Sequence, residues 1–108
     1  MESQIHKIHQ QLVSKEISCT KLVQQRLDLL KSNTHNTVNS LLDTLALELA
    51  AKVDAKIENG EEIGLLEGIP FGIKDVYMVQ GTYTTASSDL LKKYKSSFTA
   101  TAIQKLFD

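Results

Sequence analysis

The sequence predicts an α/β protein in which helices fill residues 1–60 and the first strands of a sheet follow. Three observations predict it. Apolar residues recur at threes and fours through the segments that end near Glu58, as one face of a helix requires. The pair Asn59-Gly60 then breaks that pattern, supplying the left-handed conformation a helix C-terminus often uses. From Ile69 to Val79 the apolar residues run almost continuously, as in a largely buried strand with one polar interruption, Lys74-Asp75.

Glu2 to Val13 reads as a helix with Ile5, Ile8, Leu12 and Val13 on one stripe. Ser18 is placed to cap a second helix, Cys19 to Lys31, whose stripe is Cys19, Leu22, Val23, Leu27 and Leu30. A polar connector follows from Ser32 to Asn39, with three asparagines and two threonines. Leu41 to Glu58 is the strongest helical pattern, with Leu42, Leu45, Leu49, Val53 and Ile57 as its apolar face. Beyond Val79, Gln80-Gly81 is a turn, and Thr82 to Ser88 reads as a short strand or loop. Ser88-Asp89 then caps a short helix carrying Leu90, Leu91 and Tyr94, and Phe98 to Phe107 reads as a last helix with Phe98, Ala102, Ile103 and Leu106 on its apolar face. The pattern stops one residue later with no glycine cap, polar tail or following strand, so the sequence reads as part of something longer.

The chemistry concentrates at Lys74. At a period of two, Ile69, Phe71 and Ile73 share one face of the expected strand, and Pro70, Gly72 and Lys74 share the other. Gly72 leaves the space beside Lys74 open to another backbone or a substrate. Burial there would disfavour the ammonium and pull the lysine toward use as a general base. The plainer alternative is a lysine paired with Asp75 or reaching out to solvent. A phosphate-binding loop is excluded by spacing, because three residues separate Gly68 from Gly72 and Ile73-Lys74-Asp75 follows where that loop needs four and a Gly-Lys-Ser/Thr ending.

Composition narrows the classes further. The 108 residues are 42% hydrophobic with a formal net charge of -1, enough for one modest core and unlike a surface built for nucleic acid. The single cysteine, Cys19, makes no internal disulfide, and no signal peptide or membrane-length apolar run is present, so a cytoplasmic setting is expected. His6 and His9, three apart, lack a nearby third ligand, and solvated helix surface is the better reading than a metal site. Cys19 reads as a core-edge residue and not a nucleophile. The clustered hydroxyls of Thr84-Thr85-Ala86-Ser87-Ser88 serve either a loop or a pocket wall, and Lys92, Lys93 and Lys95 form a solvated basic face.

The run Gly68-Ile69-Pro70-Phe71-Gly72-Ile73-Lys74-Asp75, followed by Gly81 and Thr84-Thr85-Ala86-Ser87-Ser88, resembles the start of the amidase signature family. Within that family it is most similar to the A-type branch of the amidotransferases acting on Glu-tRNA(Gln) or Asp-tRNA(Asn). Ser18-Cys19-Thr20-Lys21-Leu22-Val23 looks like that family's second-helix opening, and Phe98-Thr99-Ala100-Thr101 like its Tyr-Asp-Ala-Thr helix start, with Thr99 at a usual aspartate. The resemblance implies that residues 1–108 are the N-terminal part of a single amidase signature domain: a helical region 1–60, then the lysine strand and following segment 65–108 of a mixed sheet. It further implies a Ser-Ser-Lys triad with Lys74 as base, both serines lying beyond this chain, which alone would be inactive. Ser87 and Ser88 are implied in a supporting, substrate-side role. The resemblance implies no cofactor or metal in this chain, with ATP and magnesium used by a partner subunit. Its implied partners are the B and C subunits, misacylated tRNA and a small amide such as glutamine, with no membrane. The alternatives are a stand-alone amidase of a small amide and, in another class, a non-catalytic helical interaction module.

Overall fold

Two serines start the first two helices. In the computed structural model, which describes residues Met1–Asp108, α1 spans Gln4–Val13, and the Ser3 hydroxyl accepts the His6 N–H. Helix α2 spans Cys19–Lys31, and the Ser18 hydroxyl accepts the Lys21 N–H at 3.1 Å. Each cap satisfies one of the four amide donors that a helix N-terminus leaves without a partner. Helix α3 spans Asp43–Glu58 and ends at Asn59, with Gly60 at φ +75°, as the Asn-Gly pair predicts. Helix α4 spans Thr101–Phe107. None of these helices is long and apolar enough to cross a membrane.

The chain divides into two compact units, Met1–His35 with Leu41–Phe71, and Asn36–Ser40 with Gly72–Asp108. The first is a helical unit. Leu12, Cys19, Val23, Leu27 and Ala50 form its buried core, with Ile8, Leu47, Val53 and Ile57 packed against them. Burying a leucine side chain of this kind is worth about 1.5–3 kcal/mol. The inward face of α3 differs from the expected leucine stripe: Ala46, Leu47, Ala50, Val53 and Ile57 meet the core, and Leu45 and Leu49 do not. The small alanines are what allow a neighbouring helix to pack closely there.

A carboxylate joins α2 to α3. Asp54, on α3, accepts the Cys19 N–H at 2.7 Å, the Thr20 N–H at 2.9 Å and the Thr20 hydroxyl at 2.6 Å. A negative charge is favoured where helix amides point outward. Burial raises the Asp54 pKa, but the hydrogen bonds from Thr20 and Cys19 outweigh it and hold the carboxyl below its ordinary 3.8.

The expected strand over 69–79 is absent, and the chain holds no strand at all: its one bridge pairs Tyr83 with Lys95 in antiparallel sense. The mixed sheet expected over residues 65–108 is therefore not formed by these residues, whose regular elements are all helical. The reason lies in the backbone hydrogen bonds. A strand forms only against a partner that takes its amides, whereas here Ile69 N–H bonds to the Leu66 carbonyl at 3.1 Å and Tyr77 N–H to the Lys74 carbonyl at 3.0 Å. Pro70 has no N–H to offer. Local turns thus occupy the Ile69 and Tyr77 amides, and no neighbouring segment pairs with the run as a strand would require.

Gly68 is the point where this segment meets the helical core. Its φ is +82°, and a Cβ added there would lie 2.9 Å from Leu12 Cδ1, 3.1 Å from Cys19 Sγ and 3.3 Å from Val53 Cγ1. The Gly68 carbonyl also accepts the Cys19 thiol at 3.5 Å. Next to it, Glu67 pairs with Lys56 at 3.1 Å, an exposed bond worth at most about 1 kcal/mol.

The second unit is built mainly from hydrogen-bonded loops. Val79, Thr84, Ser96 and Ile103 are its buried residues. Around the Tyr83–Lys95 bridge, Gly81 N–H bonds to the Ser96 carbonyl at 2.9 Å, Ser96 N–H to the Thr82 carbonyl at 2.9 Å and Thr84 N–H to the Tyr94 carbonyl at 3.2 Å. The Thr84 and Ser96 hydroxyls share a buried bond of 2.7 Å. Ser88 acts as the expected cap, but the helix expected to carry Tyr94 is only a single 3₁₀ turn, Asp89–Leu91. Helix α4 begins after Ala100, and Thr99 accepts the Gln80 N–H at 3.0 Å in place of capping the helix. Of the expected apolar face of α4 only Ile103 is buried, with Phe98 55% and Leu106 56% exposed.

Gly68→Ala should test the packing at the head of the lysine motif. A left-handed φ costs a residue with a Cβ about 1–2 kcal/mol, and forcing a methyl into a filled core costs about 1–3 kcal/mol more. Urea denaturation should show a loss of about 2–4 kcal/mol; a loss below about 0.5 kcal/mol would mean that Gly68 is not packed as described.

Candidate active site

Lys74 sits in the second unit with its backbone held and its side chain free. Its carbonyl closes the turn to Tyr77. The side chain is exposed, in contrast to the burial a strand would impose. It makes no ion pair with Asp75; the salt bridges of the chain are Lys31–Asp43 and Lys56–Glu67. The reach to solvent is thus the alternative the structure adopts, and burial within these residues is not what would activate the lysine.

Asp75 is the hub beside it. Its carboxylate accepts the Thr85 N–H at 2.8 Å, the Thr85 hydroxyl, and the Asn39 side-chain amide at 2.9 Å. Its carbonyl accepts the Ala86 N–H at 2.7 Å. The Thr85 hydroxyl, while donating to Asp75, also accepts the Ser87 N–H at 3.1 Å. Asn39 bridges onward to the Ser87 hydroxyl at 3.0 Å. Asp75, Thr85, Ser87 and Asn39, drawn from three stretches of chain, therefore form one closed network.

The turn that Asp75 grips is strained. Ser88 N–H bonds to the Thr85 carbonyl at 2.8 Å, and between them Ala86 and Ser87 have φ of +47° and +55°. Two successive non-glycine residues in the left-handed region cost about 1–2 kcal/mol each, and such strain persists where surrounding bonds over-determine it. Hydrogen bonds from the Thr85 hydroxyl and N–H, with a smaller contribution from Asn39 and Ser87, outweigh the burial of Asp75 and hold its pKa at about 2, below the ordinary 3.8. An open cleft of about 280 Å³ runs along the same segments, lined by Val76, Met78, Thr84, Ala86, Leu91 and Tyr94.

The other residues singled out by the sequence fall in different places. Ser87 lies in the Asp75 network, whereas the Ser88 hydroxyl is occupied with the Leu90 N–H at 3.3 Å. Cys19 is 1% exposed, and burial, with the Asp54 charge adding to it, pushes its thiol up to about 11. It is therefore a thiol at neutral pH and no nucleophile. His6 Nδ1 shares a 2.7 Å bond with the Ser3 hydroxyl, and no three His, Cys, Asp or Glu side chains come together to hold a metal. Lys92, Lys93 and Lys95 are exposed, and Lys95 Nζ lies 5.3 Å from the centre of the Tyr83 ring. The sequence reading weighed Asp75 only as a partner for Lys74, took Thr85 as one of a cluster of hydroxyls and Asn39 as part of a polar connector, and joined none of the three. The signal was the Thr84–Ser88 hydroxyl run, whose natural complement is an acceptor such as a carboxylate.

Comparison with known proteins places this arrangement in a family. The amidase family profile matches residues 18–108, and the chain belongs to the amidase family. Its relatives include the A subunit of the glutamyl-tRNA(Gln) amidotransferase from Gloeothece citriformis, 45% identical over 96% of this chain. The protein of the same name from Nostoc punctiforme is 44% identical over 96% of the chain. A mitochondrial counterpart from Xenopus laevis is 37% identical over 86%. The chain spans 22%, 22% and 18% of the length of these three relatives.

The Asp75 network makes a pH prediction. A carboxyl whose folded pKa is lowered stabilises the fold above its unfolded pKa and stops doing so as pH falls through the folded one. The contribution of Asp75 should be complete above about pH 3.8 and disappear as pH falls through about 2. NMR titration of its carboxyl carbon should find a midpoint near 2, moving up toward 3.8 in Thr85→Val; a midpoint near 3.8 in the unaltered protein would show the hydrogen bonds to be absent.

Proposed function

We propose that this chain contributes the lysine part of an amidase active site in the A subunit of an amidotransferase, which hydrolyses glutamine to supply ammonia for transamidation of misacylated tRNA. The observation that carries this reading is the chain-long similarity to the A subunits of glutamyl-tRNA(Gln) amidotransferases, up to 45% identity. The exposed Lys74, its side chain free of any ion pair, supports it.

In this reading Lys74 is the base of a Ser-Ser-Lys triad whose two serines lie outside residues 1–108. The neutral amine takes a proton from a bridging serine, which takes the proton of the nucleophilic serine as that oxygen attacks the amide carbonyl. The proton returns from Lys74 through the bridging serine to the amide nitrogen as the C–N bond breaks, so the nitrogen leaves as ammonia, and water then hydrolyses the acyl-enzyme to the acid. An exposed Lys74 is suited to this only when other parts of the protein cover it, because a dry site is where positioned charges act most strongly. Residues 1–108 alone should therefore be inactive. Ser87, held by Asn39, supports the substrate side, and Ser88 shapes the turn beyond it. Ammonia passes to the B and C subunits, where ATP and magnesium serve the tRNA-linked step.

The test is Lys74→Ala in the full-length protein. Glutamine hydrolysis should fall by about 10²–10⁴-fold, the usual contribution of a positioned acid or base, with the circular dichroism spectrum unchanged. Turnover close to that of the unaltered protein would remove Lys74 from the mechanism.

A further inference from the structure

The feature that the triad leaves unused is Asp75. Its two carboxylate oxygens and its carbonyl oxygen are all engaged, and the donors are Thr85, Ala86 and Asn39. A surface aspartate with no task would be solvated and would adopt several rotamers. This one instead grips a turn with two left-handed non-glycine residues, and that turn carries Ser87. One residue earlier, the Lys74 backbone is closed by Tyr77 while its ammonium has no ion-pair partner. Every restraint on the lysine thus acts through its main chain, and the strongest of them enter through residue 75.

We infer that Asp75 is the positioning residue of the site, fixing the direction in which Lys74 leaves the backbone relative to the Ser87 turn through a clasp made with Thr85 and Asn39. The inference rests on the reading of Lys74 as the catalytic base. Asp75 takes no proton and touches no substrate; it sets where the lysine amine stands. Positioning of this kind matters because a displacement of about 1 Å in a reacting group costs on the order of 100-fold in rate.

The chemistry of the clasp dictates the variants. Asp75→Asn keeps the size of the side chain but leaves one acceptor oxygen where two are needed. Thr85→Val removes the hydroxyl donor and keeps the shape, and Thr85→Ser keeps the hydroxyl. Because the two side chains act as one unit, their losses should not add.

The experiment uses the full-length protein, with glutamine hydrolysis measured for Lys74→Ala, Asp75→Asn, Thr85→Val, Thr85→Ser and the Asp75→Asn/Thr85→Val pair. Asp75→Asn and Thr85→Val should each lower kcat by on the order of 100-fold with KM little changed. Thr85→Ser should recover most of the turnover that Thr85→Val loses, and the double variant should be no slower than the slower single one. If Lys74→Ala is inactive while Asp75→Asn keeps full kcat, the clasp is not a positioning device and only this inference fails. Losses that multiply in the double variant, or that fall on KM alone, overturn it equally. A Lys74→Ala protein that still turns over removes the reading and the inference together.

Discussion

Along the lysine segment, one carboxylate stands in for the ladder of hydrogen bonds that a strand would have provided. Asp75 binds the Thr85 amide and hydroxyl and the Asn39 amide, and its carbonyl holds the Ala86 amide. The unit around it has few fully buried apolar residues, Val79 and Ile103 among them. Hydrophobic burial alone is therefore a weak source of order there, and charge-assisted hydrogen bonds, roughly twice as strong as neutral ones, carry much of the definition. The strained Ala86–Ser87 turn is the visible consequence, since nothing in a free peptide would favour two left-handed residues in succession.

The helical unit uses the same device to a different end. Asp54 reaches from α3 to the first amides of α2, where aligned peptide dipoles favour a negative charge. There the carboxylate joins two elements that apolar packing already brings together. In the second unit the carboxylate does the joining itself. That contrast separates an aspartate that reinforces existing packing from one on which the order of its own unit depends.

How much of this was legible follows from the range of each interaction. Helices α1, α2 and α3 were readable within a residue or two because periodicity and caps such as Ser18 and Asn59-Gly60 are local signals. The inward face of α3 was readable only in part: leucines outweigh alanines in any hydrophobic pattern, yet the close approach of a neighbour selected Ala46 and Ala50. Ile69–Val79 looked like a strand because its apolar run satisfies that pattern, but strand formation depends on a partner that no local pattern reports. The family was legible from the Gly68–Asp75 run. The clasp was not, because Asp75 finds its partners ten residues ahead and thirty-six behind. Only the hydroxyl-rich Thr84–Ser88 stretch hinted that an acceptor had to lie nearby.

The central claim is that the Asp75 carboxylate holds the turn next to the lysine, and amide hydrogen exchange at Thr85 tests it most directly. The Thr85 N–H donates to that carboxylate, while the Ser96 N–H, bonded to the Thr82 carbonyl, serves as an internal control. The account predicts a protected Thr85 amide that loses its protection in Asp75→Ala while Ser96 stays protected. Thr85 exchanging at the same rate with and without the carboxylate would contradict it.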